Sequence, residues 1–208
     1  MPVELVTTDG VFALDGGTWD VTNNIWLVGD DREVVVFDAA HNHGPIVAAV
    51  NGRRVRAIVL THGHNDHINA AIALRDAVDA PIMLHPADRM LWDAVHPAHE
   101  PDAALNPGET LTAGGHALAI IHTPGHSPGC CCFHDESTGM LISGDTLFCG
   151  GPGATGRSYS DEPTILRSIR DRLLSLPATT VVHTGHGDST TIADERDRVL
   201  ARAAELGI

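Results

Sequence analysis

Four metal-competent side chains stand within six positions in the stretch Thr61-His62-Gly63-His64-Asn65-Asp66-His67. The apolar run Ala57–Leu60 immediately before it is typical of a buried strand. Residues 68–78 after it carry apolar side chains at helical spacing. We therefore predict a tight loop that leads from the end of a strand to the start of a helix.

The spacing within this loop indicates metal binding. Alternate residues of an extended loop point the same way, so His62 and His64 are predicted to hold one metal ion. Asp66 and His67 begin the next turn and point elsewhere, which suits a second ion nearby. Neutral imidazoles and carboxylates are ligands for zinc, iron or manganese. The alternative is that these are ordinary polar loop residues. It is disfavoured because side chains packed this closely repel one another when charged, unless a cation lies between them.

The pattern His62-X-His64-X-Asp66-His67 resembles the signature of the metallo-β-lactamase-fold superfamily, and later motifs follow in the matching order. The resemblance implies an α/β fold, the four-layer αββα sandwich, which agrees with the alternation of predicted strands and helices. It also implies seven ligands, with one carboxylate shared. They are His62, His64 and His126 for the first ion, Asp66, His67 and His186 for the second, and Asp145 as the bridge.

Within the superfamily the chain is most similar to glyoxalase II-like hydrolases, through His122–Gly129, Gly144–Phe148 and Gly185–Gly187. This resemblance implies hydrolysis of a thioester of a small thiol by a hydroxide that bridges two divalent ions, with zinc expected and iron or manganese as alternatives. Asp66 would orient the hydroxide. A thiolate leaving group, with a pKa near ~8.5, departs with little help from an acid. Asp145 stands where many β-lactamases have cysteine, which weakens an antibiotic-degrading role.

The expected substrate contacts lie after the bridging aspartate. A glycine-rich stretch, residues 150–156, replaces the lysine-containing substrate loop of the family, and Arg157 and Tyr159 close it. We predict that these two residues contact the thiol carrier. Glyoxalase II proper has a further helical domain that helps to bind glutathione, whereas this sequence ends soon after His186, so another low-molecular-weight thiol is an alternative carrier.

Other reactions of the same fold remain open. Persulfide dioxygenases resemble the chain at the same motifs and hold one iron at the positions that match His62, His126 and Asp145. A lactonase or β-lactamase would use the hydroxide on a ring. Phosphodiesterases or ribonucleases usually need a basic surface, and a metal-bound binding protein without activity is disfavoured by the complete ligand set.

The amino-acid composition indicates which classes of partner the protein can bind. The 208 residues carry a formal net charge of -14 and no lysine, so the surface should repel phosphate backbones. No apolar run approaches the ~20 residues needed to span a bilayer, and Met1–Glu4 lacks the features of a signal peptide. Four cysteines without a CxxC pair are interpreted as reduced thiols. We expect a cytoplasmic protein with a small-molecule substrate, no nucleic-acid or membrane partner, and one domain over residues 1–208.

Further parts of the sequence carry weaker signals. The HxH of His41 and His43 is attributed to structural or substrate-rim histidines. Asp38 is either a turn former or a support for the metal loop. A turn is expected around Asp9-Gly10, and residues 96–108 are expected to form an irregular loop that could cover the site.

Overall fold

The computed structural model describes residues 3–208. Residues 1 and 2 belong to the N-terminus that is predicted to lack a signal peptide, and they lie outside the described residues. The chain opens with two long antiparallel strands, β1 (Val3–Leu14) and β2 (Gly17–Gly29). Asp15 and Gly16 join them with φ of 54° and 76°, the left-handed conformation that two-residue hairpin turns favour. The turn predicted at Asp9-Gly10 is therefore wrong, because β1 runs through it without a break.

The first sheet contains six strands in the order of the chain. After β1 and β2 come β3 (Glu33–Phe37), β4 (Arg54–Val59), β5 (Ile82–Leu84) and β6 (Ala103–Ala104). The pairs from β3 to β6 are parallel. β6 is only two residues long, so most of the segment 96–108 is the irregular loop that was predicted, but no residue of it lines the cavity at the cluster described below.

The second sheet has six strands in the order β14-β13-β10-β9-β8-β7, and β11 and β12 form a separate ribbon. The strands are β7 (Thr110–Ala113), β8 (His116–His122), β9 (Cys131–Asp135), β10 (Met140–Gly144), β11 (Leu147–Phe148), β12 (Gly151–Pro152), β13 (Val181–Thr184) and β14 (Thr190–Thr191).

Six α-helices cover the outer faces of the sheets in the described part of the chain, and a 3₁₀ turn (Pro86–Asp88) precedes the fourth. They are α1 (His43–Val50), α2 (Asn65–Ile68), α3 (Ala71–Val78), α4 (Arg89–Val95), α5 (Glu162–Ser168) and α6 (Ile192–Glu205), and a π-helical turn (Ile169–Leu173) follows α5. The helix predicted after the metal loop is thus two helices. Among residues 3–208, no helix has the length and apolar character needed to cross a membrane.

Three apolar clusters define the layers. Ile25 and Leu27 of β2 pack under the helices of the first sheet, whereas Trp26 and Val28, on the opposite face, pack between the two sheets. The outer face of the second sheet, which includes Cys132, packs on α5 and α6. Helix, sheet, sheet and helix therefore stack in the four-layer αββα arrangement, which confirms the predicted fold class.

Candidate metal centre

The seven predicted ligand residues converge at one edge of the sandwich, because each follows the end of a strand. The first sheet supplies the loop after β4 and the first turn of α2, and the second supplies the loops after β8, β10 and β13. The residues are His62, His64, Asp66 and His67 from the first sheet and His126, Asp145 and His186 from the second.

His62, His64 and His126 form what we call the first group. Their potential ligand atoms all lie within 4.8 Å of one another. His64 Nδ1 is 3.0 Å from His62 Nε2 and 3.0 Å from His126 Nε2. Three buried imidazole nitrogens at these distances cannot all carry protons, so lone pairs face one another. A shared cation would satisfy them.

Asp66, His67 and His186 form the second group. His67 Nε2 lies 3.2 Å from His186 Nε2, and Asp66 Oδ2 lies 3.4 Å from His186 Nε2. Asp145 stands between the groups, with its Oδ2 3.5 Å from both His126 Nε2 and His186 Nε2 and its Oδ1 3.4 Å from His67 Nε2. This is the location that a bridging carboxylate requires.

Buried polar atoms without partners show that the cluster fits metal ions. Oδ1 of Asp66 and Oδ1 of Asp145 are both buried and accept no hydrogen bond. An unpaired buried carboxylate oxygen is costly unless a cation or a donor satisfies it. Histidine nitrogens together with carboxylate oxygens suit zinc, iron or manganese. The donor set therefore fits divalent transition-metal ions.

The outer ring nitrogens fix the tautomers of three of these histidines. Backbone carbonyls of Ala154 and Thr22 accept from His126 Nδ1 at 2.8 Å and His186 Nδ1 at 2.7 Å. His67 Nδ1 donates to a carboxylate oxygen 2.8 Å away. Because each Nδ1 carries the proton when the ring is neutral, Nε2 then presents its lone pair to the cluster. His64 differs, since its Nδ1 faces the cluster.

The carboxylate that accepts from His67 belongs to Asp38. Asp38 follows β3 with φ of 66° and also accepts from Thr61 N at 2.8 Å and from Thr61 Oγ1 at 2.9 Å. The structure therefore agrees with the interpretation of Asp38 as a residue that supports the metal loop. Its left-handed backbone places the carboxylate where it can accept these hydrogen bonds.

Asp88 is a residue of the site that sequence reasoning missed. It is completely buried and accepts from Gly63 N at 2.8 Å, Ser127 Oγ at 2.6 Å and Gly129 N at 2.6 Å. It thus joins the loop that carries His62 and His64 to the loop that carries His126. Burial raises the pKa of Asp88, although these hydrogen bonds oppose the rise. The sequence shows only an aspartate before a helix, which gave no signal of this role.

The two groups differ electrostatically. Burial, reinforced by the neighbouring His126, lowers the pKa of His64 to about 3, and burial holds that of His62 well below its ordinary value. In the second group burial alone would raise the pKa of Asp66 and lower that of His186, but the neighbouring charges outweigh burial. The charge of His67 lowers the pKa of Asp66 to about 2, and the carboxylates of Asp145 and Asp66 raise that of His186 to about 10. His62 and His64 are therefore neutral imidazoles, whereas in the second group an imidazolium at His186 pairs with the carboxylate of Asp66.

A cavity of about 110 Å³ opens onto the cluster. Phe12, Val21, Ala154 and Arg157 line it together with residues of both groups. The guanidinium of Arg157 lies 4.1 Å from the centroid of the Trp19 ring and 5.4 Å from that of Phe12, a cation–π arrangement that holds it in place.

The other candidates lie outside the cavity. Tyr159 is half-exposed and does not line it, so of the two predicted substrate contacts the structure brings only Arg157 to the site. His41 and His43 are in none of the metal-competent groups found among residues 3–208. His43 begins α1, and His41 hydrogen-bonds to the side chain of Asn69 at 3.1 Å.

Fold and cluster together define a metal-binding protein whose site lies between the edges of two sheets. Residues 18–186 match the family described as the Metallo-beta-lactamase superfamily, and the chain belongs to this superfamily of metallo-hydrolases. A hydroxyacylglutathione hydrolase of Haemophilus influenzae is 30% identical over 187 residues, which cover 83% of this chain and 87% of that one.

Two solved structures extend the comparison. The B3 metallo-beta-lactamase BLEG-1 superposes with a TM-score of 0.78 at 30% identity, covering 91% of this chain and 97% of that one. A protein solved in a di-iron-bound form superposes with a TM-score of 0.76 at 33% identity, covering 85% and 93% of the two chains. The names of these relatives give two different reactions, a hydroxyacylglutathione hydrolase and a beta-lactamase, and one of the structures contains iron.

Proposed function

We propose that this protein hydrolyses a thioester of a small thiol at a centre of two divalent metal ions. The observation that carries the proposal is the placement of Asp145 between the two groups, within contact distance of His67, His126 and His186. The similarity to a hydroxyacylglutathione hydrolase supports a thioester as the substrate.

The first group and Asp145 would hold one ion, and the second group and Asp145 the other. Zinc is the expected metal, and the alternatives are iron, which a relative of this chain binds, and manganese. Divalent cations at such a centre supply a hydroxide at neutral pH and polarise a carbonyl oxygen.

The protein's own groups orient the reactants. Asp66 is ionised because its pKa is about 2, and its Oδ1 accepts no hydrogen bond from the protein. Asp66 also lines the cavity, so its carboxylate would orient the attacking water towards a carbonyl carbon. The thiolate leaves without an acid, since its pKa is near ~8.5.

Arg157 is the proposed contact for the thiol carrier. Its side chain packs on Trp19 and Phe12 at the cavity and offers a fixed cation to an anionic group of the carrier. Tyr159 is retained as a second proposed contact, which a movement of the loop would have to bring closer. The apolar side chains of Phe12 and Val21 leave space for a small acyl group.

Metal analysis of the purified protein, combined with turnover, tests the proposal. About two zinc ions per chain and hydrolysis of thioesters of several small thiols are expected. One iron per chain with oxygen consumption on persulfides would replace it with the dioxygenase alternative, and turnover confined to lactones or β-lactams would replace the substrate class. Arg157→Ala is expected to raise the Michaelis constant about tenfold or more, with Arg157→Lys as the matched variant that keeps the charge.

The remaining features of this proposal are a small-molecule substrate, no nucleic-acid or membrane partner, and a cytoplasmic location. One domain over residues 1–208 also stays a prediction.

A further inference from the structure

Asn23 is completely buried in β2 and touches the second group. Its Nδ2 donates to Asp66 Oδ2 at 3.1 Å and lies 3.5 Å from His186 Nε2. Because an ionised carboxylate only accepts, the amide nitrogen of Asn23 must face Asp66, and the amide oxygen must point away.

The amide oxygen determines the next bond. Asn23 Oδ1 is 2.8 Å from His41 Nε2, so this ring nitrogen must donate, and Nδ1 of the neutral ring must accept. The donor is Asn69 Nδ2, 3.1 Å away. Oδ1 of Asn69 accepts from the backbone N–H of His41 itself. Every donor and acceptor is thus assigned from Asn69 through His41 and Asn23 to Asp66.

The backbone is shaped to hold His41 at this place. Its φ of 57° is left-handed, which is uncommon for a residue other than glycine. Its ring packs against Gly10 of β1 so closely that a Cβ at position 10 would lie 2.1 Å from Nδ1. A strained histidine and a glycine within a strand therefore cooperate to place one imidazole, which is typical of functional sites.

We propose that Asn23 is a positioning residue for Asp66, held in place by the chain of hydrogen bonds from Asn69 and His41. Asn23 donates to Oδ2 of Asp66, the same oxygen that lies 3.4 Å from His186 Nε2 and 3.6 Å from His67 Nε2. This selects one orientation of the carboxylate towards the second group. The inference rests on the proposed role of Asp66 in metal binding, and it is independent of the identity of the substrate.

The effect of Asn23 on metal binding is separable from a general effect on the fold. Thr8, in β1, donates a hydrogen bond to the carbonyl oxygen of Ala40 at 3.0 Å and is also buried. Thr8→Val removes a buried hydrogen bond beside the same loop but touches no member of the chain from Asn69 to Asp66. It is therefore the matched control.

The experiment measures two zinc dissociation constants for the metal-free protein by competition with a chromogenic chelator. Asn23→Ala is expected to weaken one site by about 10–100-fold, the usual effect of removing a group that orients a ligand, and to leave the other nearly unchanged. His41→Asn tolerates the left-handed backbone but is too short to reach Asn23, and it should weaken the same site. The double variant should lose less than the product of the two effects, because both act through one chain.

The inference would be overturned if Asn23→Ala kept the zinc affinity of the wild type, or if Thr8→Val lost as much affinity as Asn23→Ala. It would also be overturned if the effects of Asn23→Ala and His41→Asn on zinc affinity were independent. If Asn23→Ala does not fold, a wild-type affinity in His41→Asn overturns it alone. Thioester turnover by the wild type is recorded in parallel. An inactive wild type with the expected zinc pattern would end the proposed function and leave the role of Asn23 standing.

Discussion

The hydroxyl of Ser127 donates a hydrogen bond to the completely buried carboxylate of Asp88, with 2.6 Å between the two oxygens. Gly63 and Gly129 donate their backbone N–H groups to the same carboxylate. One side chain therefore sets the separation of two metal-binding loops that come from different sheets.

Asp88→Asn is expected to destabilise the protein by ~1–3 kcal/mol, because an amide has one acceptor oxygen and leaves a buried backbone N–H unpaired. Ser127→Ala removes only the hydroxyl and should cost less, about 1 kcal/mol. Chemical denaturation of both metal-free variants provides the measurement. Equal stability of Asp88→Asn and the wild type would show that the two loops do not depend on this carboxylate.

Asp38 should support metal binding through His67. Asp38→Asn leaves too few acceptor oxygens for Thr61 and His67, so zinc affinity should fall about 10–100-fold. Asparagine tolerates the φ of 66°, whereas Asp38→Ala adds backbone strain of ~1–2 kcal/mol. Zinc titration and denaturation of both variants should reveal a shared loss of affinity but unequal stability. Unchanged affinity in Asp38→Asn would contradict this role.

The stability of the metal-free protein should depend on His186 at alkaline pH. Burial opposes protonation, but Asp145 and Asp66 raise the pKa of His186 to about 10 from an ordinary 6.5. A folded-state pKa above the unfolded value contributes stability that is fully present below pH 6.5 and is lost as the pH rises through about 10. The melting temperature should therefore fall across this window, by about 2–4 °C for each kcal/mol lost.

Two comparisons isolate this effect. His186→Asn removes the titrating group, and the fall in melting temperature should be smaller in this variant. Zinc-loaded protein should lack the fall, because a ligating imidazole has already released its proton. A wild type and a His186→Asn variant with parallel pH profiles would contradict the assignment.

One of the four cysteines should react in the native state. Cys149 is exposed, whereas Cys130, Cys131 and Cys132 are buried, and burial raises the pKa of Cys132 to about 11. A chromogenic disulfide at pH 8 should therefore modify about one thiol per folded chain and about four after unfolding. Rapid modification of a second thiol before unfolding would show that the segment around β9 opens in the native state.

Gly185 is predicted to have no tolerated substitute. A Cβ there would lie 2.1 Å from Asp145 Oδ1 and 2.9 Å from His67 Cε1. Gly185→Ala should displace the shared carboxylate and weaken zinc binding about tenfold or more. Gly139→Ala, at φ of 67° with no atom within 4 Å of the added Cβ, should reduce stability and leave zinc binding unchanged. Matching zinc affinities in the two variants would refute this view of Gly185.

The candidate site was largely predictable because its strongest signal is local. His62, His64, Asp66 and His67 are neighbours in sequence, and apolar runs before the other candidates mark the strand ends that carry them. The continuous apolar run of residues 34–37 likewise predicts β3, which is buried on both faces and sends alternate side chains to the two clusters.

The features that were missed depend on contacts between distant residues. Asp88 accepts from residues 25 and 41 positions away, and no local pattern specifies which loops will reach it. The sequence predicts a turn at Gly10, but its missing side chain makes room for the ring of His41. The position of Tyr159 after a glycine-rich loop predicts a substrate contact, but its left-handed φ of 69° belongs to a backbone whose path the composition does not reveal.

The second group takes its residues from both sheets, and this affects the entropy that the chain loses when it folds. His67 and His186 are 119 positions apart, and their ring nitrogens are 3.2 Å apart in the folded protein. A cation held by both would act as a removable cross-link that closes a very long loop, and such links restrict the unfolded chain most strongly. Metal supply would then affect the stability of the folded protein as well as its chemistry.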